Sequence, residues 1–157
     1  FEQQTPHLLQ LHEYWIDSAG AGRWRGGLGV QTKFKIGGEK TTVVTFGDGD
    51  VEPAFGLFGG KDSTLNKIEL TYPDGKIYKT TSKDLVEKVP NGAILFQQAG
   101  GGGGYGDPVK RPAKKVAEEV KNGIISIESA KGDYGVVLDP ETFEVDLEET
   151  EKLRGGQ

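Results

Sequence analysis

Residues 100–104 are five consecutive glycines, followed by Tyr105, Gly106, Asp107 and Pro108. Glycine loses more conformational freedom on folding than any other residue, so an ordered run of five opposes folding unless something specific requires it. Two requirements qualify: a backbone at positive φ, or the approach of another backbone or a ligand closer than a β-carbon allows. The pressure extends beyond the run, since 25 of the 157 residues are glycine, roughly twice the usual share.

The chain is long enough for one domain with a core and short for two. Hydrophobic residues make up only 34% of it, so part of its surface is expected to lie under a partner. The formal net charge is −5 and the basic residues are scattered, which argues against nucleic acid. With no cysteine there is neither a disulfide frame nor a thiolate metal site. No apolar run approaches the roughly 20 residues of a membrane span. A cytoplasmic setting is the expectation. The chain opens on Phe1 and contains no methionine, which reads as a piece of a longer polypeptide.

The pattern predicts an α+β segment, with antiparallel hairpins in the first two thirds and helices in the last third. In residues 28–36 the even positions Leu28, Val30, Thr32, Phe34 and Ile36 are apolar or β-branched and Lys33 and Lys35 alternate with them, giving a strand with one buried face. Gly37 and Gly38 turn the chain, and 41–46 is expected to return as its hairpin partner. A second hairpin joins 68–72 to 76–80 through Pro73, Asp74 and Gly75. Residues 93–97 form a further strand that runs into the glycines.

Beyond them the period becomes helical. Ala113, Val116, Ala117 and Val120 share one face of a helix over 112–122, stopped by Asn122 and Gly123. Ser126 caps a second helix, 134–138 reads as one more strand, and Asp146 with Glu149 caps a last helix ending near Leu153. The expected organisation is one segment, 1–157, β-rich with glycine-rich loops over 1–107 and a helical tail with one short strand over 108–157.

Three stretches could carry chemistry. The run Gly102, Gly103, Gly104, Tyr105 could cradle an anion with its amides, but Asp107 puts a negative charge there and the helix starts later. The other reading has the glycines meeting another backbone or subunit and Asp107 capping its own turn. Residues 56–63, GLFGGKDS, resemble a phosphate-binding loop in having Gly59 and Gly60 before Lys61. Phe55 and Asp62 stand where that template needs glycine and serine or threonine. A tight loop with Phe55, Leu57 and Phe58 turned inward is the alternative. In residues 17–27, Arg23 and Arg25 share one side of an extended segment and either grip an oxyanion or pair with Asp17 and another acid. His7 and His12 lack a third metal ligand and read as surface residues. The acidic pairs Glu118–Glu119 and Glu148–Glu149 read as solvated helix faces, and no catalytic set assembles.

These stretches occur in a recognisable order: DSAGAGRWRGGLGV at 17–30, PAFGLFGG at 53–60 and GGGGYGDPVKRPAKKVAEEVKNGIISIESAKGDYGVVLD at 101–139. Together they resemble the C-terminal region of the hydantoinase B/oxoprolinase family, which includes large subunits of acetone and acetophenone carboxylases. Ala19, Ala54 and Phe55 depart from the family's usual residues. The resemblance implies part of a larger B-type subunit acting with an A-type partner that uses ATP and Mg, in a cytoplasmic hetero-oligomer. Its reaction would be cyclic-amide hydrolysis, with ketone carboxylation or a non-catalytic assembly role as alternatives. The segment alone would be inactive, and a divalent metal would belong to the rest of the B-type subunit. No catalytic residue carries over. Arg23, Arg25, Gly59, Gly60, Gly102, Gly103, Gly104, Tyr105 and Asp107 are the expected site-lining or interface positions.

Overall fold

The computed structural model describes residues 2–155; Phe1, Gly156 and Gln157, which the reading of 1–157 as one segment includes, lie outside the described residues. Among the described residues, seven strands precede three α-helices, an α+β order. The strands are β1 (Leu8–Tyr14), β2 (Val30–Lys35), β3 (Thr41–Phe46), β4 (Lys67–Thr71), β5 (Ile77–Thr80), β6 (Lys83–Val89) and β7 (Ile94–Gln98). The helices are α1 (Ala113–Lys121), α2 (Ile127–Tyr134) and α3 (Leu147–Gly155). The chain divides into two compact units, each assembled from three stretches. Unit 1 holds residues up to Tyr14, Val30–Pro53 and Leu65–Gly100; unit 2 holds Trp15–Gly29, Ala54–Thr64 and the residues from Gly101 onward.

Unit 1 contains a five-stranded antiparallel sheet ordered β1-β2-β7-β4-β5 and a separate pair, β3-β6. Its register aligns apolar positions: Leu95 of β7 lies opposite Phe34 of β2 on one side and Leu70 of β4 on the other. Leu70, Leu95 and Ile36 join Val43, Val89 and Ala93 in one buried cluster. The alternation in 30–36 therefore marks the buried face, and the β4–β5 hairpin forms at its expected turn.

The expected hairpin between 28–36 and 41–46 does not form. A strand has two hydrogen-bonding edges, and those of β2 are taken by β1 and β7, so β3 pairs with β6 instead. Two strands were hidden by their patterns. β1 has mostly exposed residues on both faces, and β6 carries Lys83, Asp84, Glu87 and Lys88 at both parities. Its pairing steps from Val43↔Val86 to Thr41↔Val89, with Lys88 at φ 56 within the extra residue's bulge.

Unit 2 is organised by its helices. α1 ends in a Schellman arrangement around Gly123 (φ 67): the Gly123 amide donates to Val120 O and the Ile124 amide to Glu119 O, both at 2.9 Å. Ser126 caps α2 by accepting from the Ser129 amide at 3.0 Å, and Asp146 caps α3 by accepting from the Glu149 amide at 3.0 Å. Residues 134–138 are not the expected strand. Tyr134 closes α2, and Gly135 at φ 61 turns the chain. The Val137 amide then donates to Thr150 Oγ1 at 3.0 Å while Val137 O accepts from the Asp146 amide. Helix-associated groups satisfy this backbone, and only an isolated Leu138↔Val145 bridge remains. Val116, Ala130, Tyr134 and Val136 form the centre of the core, all at 1% exposure or less.

Tyr134 supplies a pH signature. Burial pushes its hydroxyl up to about 12, against the opposing Arg111 charge, whereas an unfolded tyrosine titrates near 10. The unfolded chain thus releases this proton first as pH rises, so the contribution is complete below about pH 10 and is lost toward pH 12. Urea unfolding followed by tryptophan emission should lose stability across that window. Both tryptophans, Trp15 and Trp24, lie in unit 2 and report on it. Tyr134→Phe should flatten the slope.

Candidate functional site

All the expected site positions fall in unit 2, where three stretches of chain meet backbone to backbone. Gly102 donates to Gly27 O at 2.9 Å and accepts from the Gly20 amide at 2.8 Å. Gly104 donates to Lys61 O at 2.9 Å and accepts from the Leu57 amide at 2.8 Å. Tyr105 and Trp24 exchange both amide hydrogen bonds, at 2.9 and 3.0 Å, and Gly106 donates to Leu57 O at 2.8 Å. Ser18, fully buried, anchors one end. Its carbonyl accepts from the amides of Thr64 and Gly101, and its Oγ accepts from the Gly29 amide at 2.8 Å.

This weave states why the glycines are needed. A β-carbon on Gly104 would overlap the carbonyl of Ala21, one on Gly103 that of Phe55, one on Gly60 that of Gly104, and one on Gly20 that of Lys61. Of residues 101–104, none needs positive φ; close approach is the constraint. Gly102 is less crowded, its nearest neighbour being Gly27 N at 3.3 Å, and Gly59 is exposed at φ 91 beside the Asp107 backbone. Asp107 accepts from the Val109 amide at 3.0 Å and caps the short 3-10 turn Pro108–Lys110, as a self-capping aspartate should.

The two arginines part company. Arg25 reaches Glu119, Nε to Oε1 at 3.2 Å, and Arg111 grips the same carboxylate with two bonds, Nε to Oε2 at 3.0 Å and Nη2 to Oε1 at 2.7 Å. Arg111 Nη1 also donates to Arg23 O at 2.8 Å. Glu119 is therefore buried between two guanidinium groups, not on a solvated face. Asp17 is not an arginine partner; its Oδ1 accepts from the Ser126 amide at 2.9 Å. The Arg23 side chain stays exposed.

The apolar residues of the 54–64 loop also turn the other way from expectation. Leu57, Phe58 and Gly59 form a hairpin-like turn closed by the Gly60 amide on Leu57 O at 3.0 Å, with Phe58 at φ 51 and Gly59 at φ 91. Positive φ at both central positions is the type I′ geometry. It presents Phe58 outward at 77% exposure, with Phe55 at 72%. The Tyr105 ring lies 5.2 Å from that of Phe58, and backbone bridges place Trp24 and Leu57 on either side of Tyr105. Sequence reasoning missed this row, because an aromatic in a glycine-rich loop reads as an anchor; the usable signal was Phe58 directly before Gly59-Gly60. Among the described residues no group of three or more His, Cys, Asp or Glu converges on a metal position, and no helix is long and apolar enough to cross a membrane.

A family model described as hydantoinase B/oxoprolinase matches residues 1–108. The chain is 35% identical, over 88% of its length, to caprolactamase subunit beta of Pseudomonas jessenii, covering 24% of that protein. It is 27% identical, over 99% of its length, to the acetophenone carboxylase delta subunit of Aromatoleum aromaticum, covering 27% of that protein. The crystal structure of the ATP-dependent caprolactamase from Pseudomonas jessenii superposes on 99% of the chain with a TM-score of 0.79 at 30% identity, covering 27% of the solved chain. The chain spans about a quarter of the length of the curated relatives it matches.

The weave predicts graded glycine substitutions, measured by urea unfolding with tryptophan emission. Gly104→Ala should cost about 3 kcal/mol or more, because backbone must move. Gly102→Ala should cost about 1 kcal/mol, and Gly27→Ala, with open space around it, nothing or a slight gain. Glu119→Gln should cost about 3–5 kcal/mol by leaving the buried Arg111 and the half-buried Arg25 without their counter-charge.

Proposed function

The chain belongs to the hydantoinase B/oxoprolinase family, and on that premise we propose that it is the C-terminal region of a B-type subunit in an ATP-dependent enzyme that hydrolyses a cyclic amide. The observation that carries this reading is the similarity to caprolactamase subunit beta at 35% identity, against 27% for the acetophenone carboxylase delta subunit. Ketone carboxylation is the second reading, favoured by the latter similarity extending over 99% of the chain. In either case ATP and Mg act through an A-type partner, in a cytoplasmic hetero-oligomer.

The chain's own contribution in this reading is to assemble and enclose. A reactive intermediate survives only where water is kept out, and a backbone weave with no side chains at its crossings gives a thin, stiff wall for that purpose. The exposed row Tyr105, Leu57 and Phe58 is the surface through which this wall joins the remainder of the subunit. Large exposed apolar patches mark interaction sites, and Trp and Tyr are the residues that dominate such contacts. Phe58 adds a second sign: a non-glycine side chain at φ 51 is strained by roughly 1–2 kcal/mol. That strain is retained although the ring finds little cover within unit 2. The non-catalytic alternative, a module that docks without bordering the site, predicts that loop variants change assembly and never turnover.

Two measurements test the reading. Reconstituted with the remaining B-type polypeptide and an A-type partner, the complex should turn over ATP with a lactam, hydantoin or 5-oxoproline; turnover only with a ketone and bicarbonate would replace hydrolysis by carboxylation. Phe58→Asn, which suits positive φ, should leave the melting temperature of the isolated chain unchanged or raised. It should weaken assembly by about tenfold or more, as an aromatic anchor's loss does, read by analytical ultracentrifugation.

A further inference from the structure

Unit 2 carries a second feature that the family reading does not use: a cavity of about 180 Å³ lined by Arg23, Trp24, Lys110, Pro112 and Lys115. Three of its five lining residues are cationic and none is acidic. Lys115 Nζ lies 5.8 Å from the Trp24 ring centroid. Lys110 Nζ is 3.9 Å from Asp107 Oδ2, an exposed and distant pairing. Neither Arg23 nor Lys115 has a carboxylate partner among the described residues. The backbone of Arg23 is fixed on both sides, its amide on Gly106 O at 3.0 Å and its carbonyl under Arg111 Nη1 at 2.8 Å, so the guanidinium stem starts from a rigid point.

The electrostatics are unusual for a chain of net charge −5. Like charges crowd one wall, and α1 opens with Lys114 and Lys115 and no acidic residue in its first turn, opposite to what the helix dipole favours. Arg23, Lys110 and Lys115 set against Asp107 leave a local charge of about +2 around a small concave space, a balance that an anion of charge −2 cancels. An arginine fork matches the tetrahedral or planar oxygens of such an anion, while the half-exposed indole of Trp24 offers a flat apolar wall beside it.

We infer that this cleft is a binding site for a dianionic oxyanion, of the phosphoryl type, carried on a molecule with a flat apolar part that lies on Trp24. Arg23 and Lys115 hold the oxygens and Lys110 supplies charge at the mouth. The inference concerns the chain's own residues and does not depend on which reaction the parent enzyme performs.

The test follows the indole N–H resonances of the 157-residue chain during titration at constant ionic strength. The probes are inorganic phosphate, phenyl phosphate and benzoate. Expected is a saturable shift of Trp24 with Trp15 unmoved, with phenyl phosphate tighter than phosphate by about fivefold or more and benzoate weakest. Arg23→Ala and Lys115→Ala should each weaken phenyl phosphate about tenfold while the melting temperature stays within error, and Lys121→Ala, at the other end of α1, should change nothing. Equal shifts at Trp15 and Trp24, a non-saturating response, or equal weakening by Lys121→Ala would reduce the effect to general screening and overturn the site. Benzoate binding as tightly as phenyl phosphate would overturn the dianion assignment.

Discussion

The contact on which unit 2 depends is backbone against backbone with no side chain between. At Gly20, Gly60, Gly103 and Gly104 a β-carbon would occupy the position of a neighbouring carbonyl, so three separate stretches of chain can hydrogen-bond only because these residues have none. Gly20, Gly102 and Gly104 each take part in two amide bonds, in a place where apolar burial is scarce. This is consistent with the low hydrophobic content, since the polar backbone satisfies itself and little side-chain core is required there. What lies flush against the glycines is the chain itself. The expectation of close approach is met, with an internal partner in place of an external one.

The weave is tied to the helical core by charge. Arg111, 3% exposed, and Glu119, 7% exposed, make a bidentate pair, and Arg25 extends it to the 15–29 stretch. Arg111 also holds Arg23 O, and its own carbonyl accepts from Arg154 of α3 at 2.9 Å. A buried ion pair of this kind seldom adds much net stability over an apolar substitute, but it specifies which segments meet. Here it fixes α1, α3 and the arginine-bearing stretch in one arrangement. With Arg25 occupied in this way, Arg23 is left facing outward beside Lys110 and Lys115, and the separate roles of two residues two positions apart follow.

Much of the local structure was legible. Alternation gave the buried face of β2, the Pro-Asp-Gly turn gave the β4–β5 hairpin, and Pro112, Gly123, Ser126 and Asp146 bounded the helices. The misses share one cause. Strand pairing of β3 depends on which edges β1 and β7 leave open, and the chain separation between those strands carries no pattern. Glu119 looked solvated because Lys114, Lys115, Glu118 and Lys121 surround it in sequence; only Arg111 and Arg25, 8 and 94 residues away, make its burial tolerable. Phe55, Leu57 and Phe58 were expected inside because apolar side chains usually are; all three are exposed, and at Phe58 the I′ turn presents the ring outward.

By itself the sequence determined the α+β content, the helix boundaries and the presence of a place where a β-carbon is forbidden, because propensity, capping and steric exclusion act between near neighbours. It also carried, in the order of three motifs, the family to which the chain belongs. Tertiary structure alone decided which backbone fills the space beside each glycine, which arginine is neutralised and which is left for solvent, and which aromatic rings face outward. Those outcomes depend on contacts between residues far apart in the chain, where the energy of a pairing is set by geometry that no local pattern encodes.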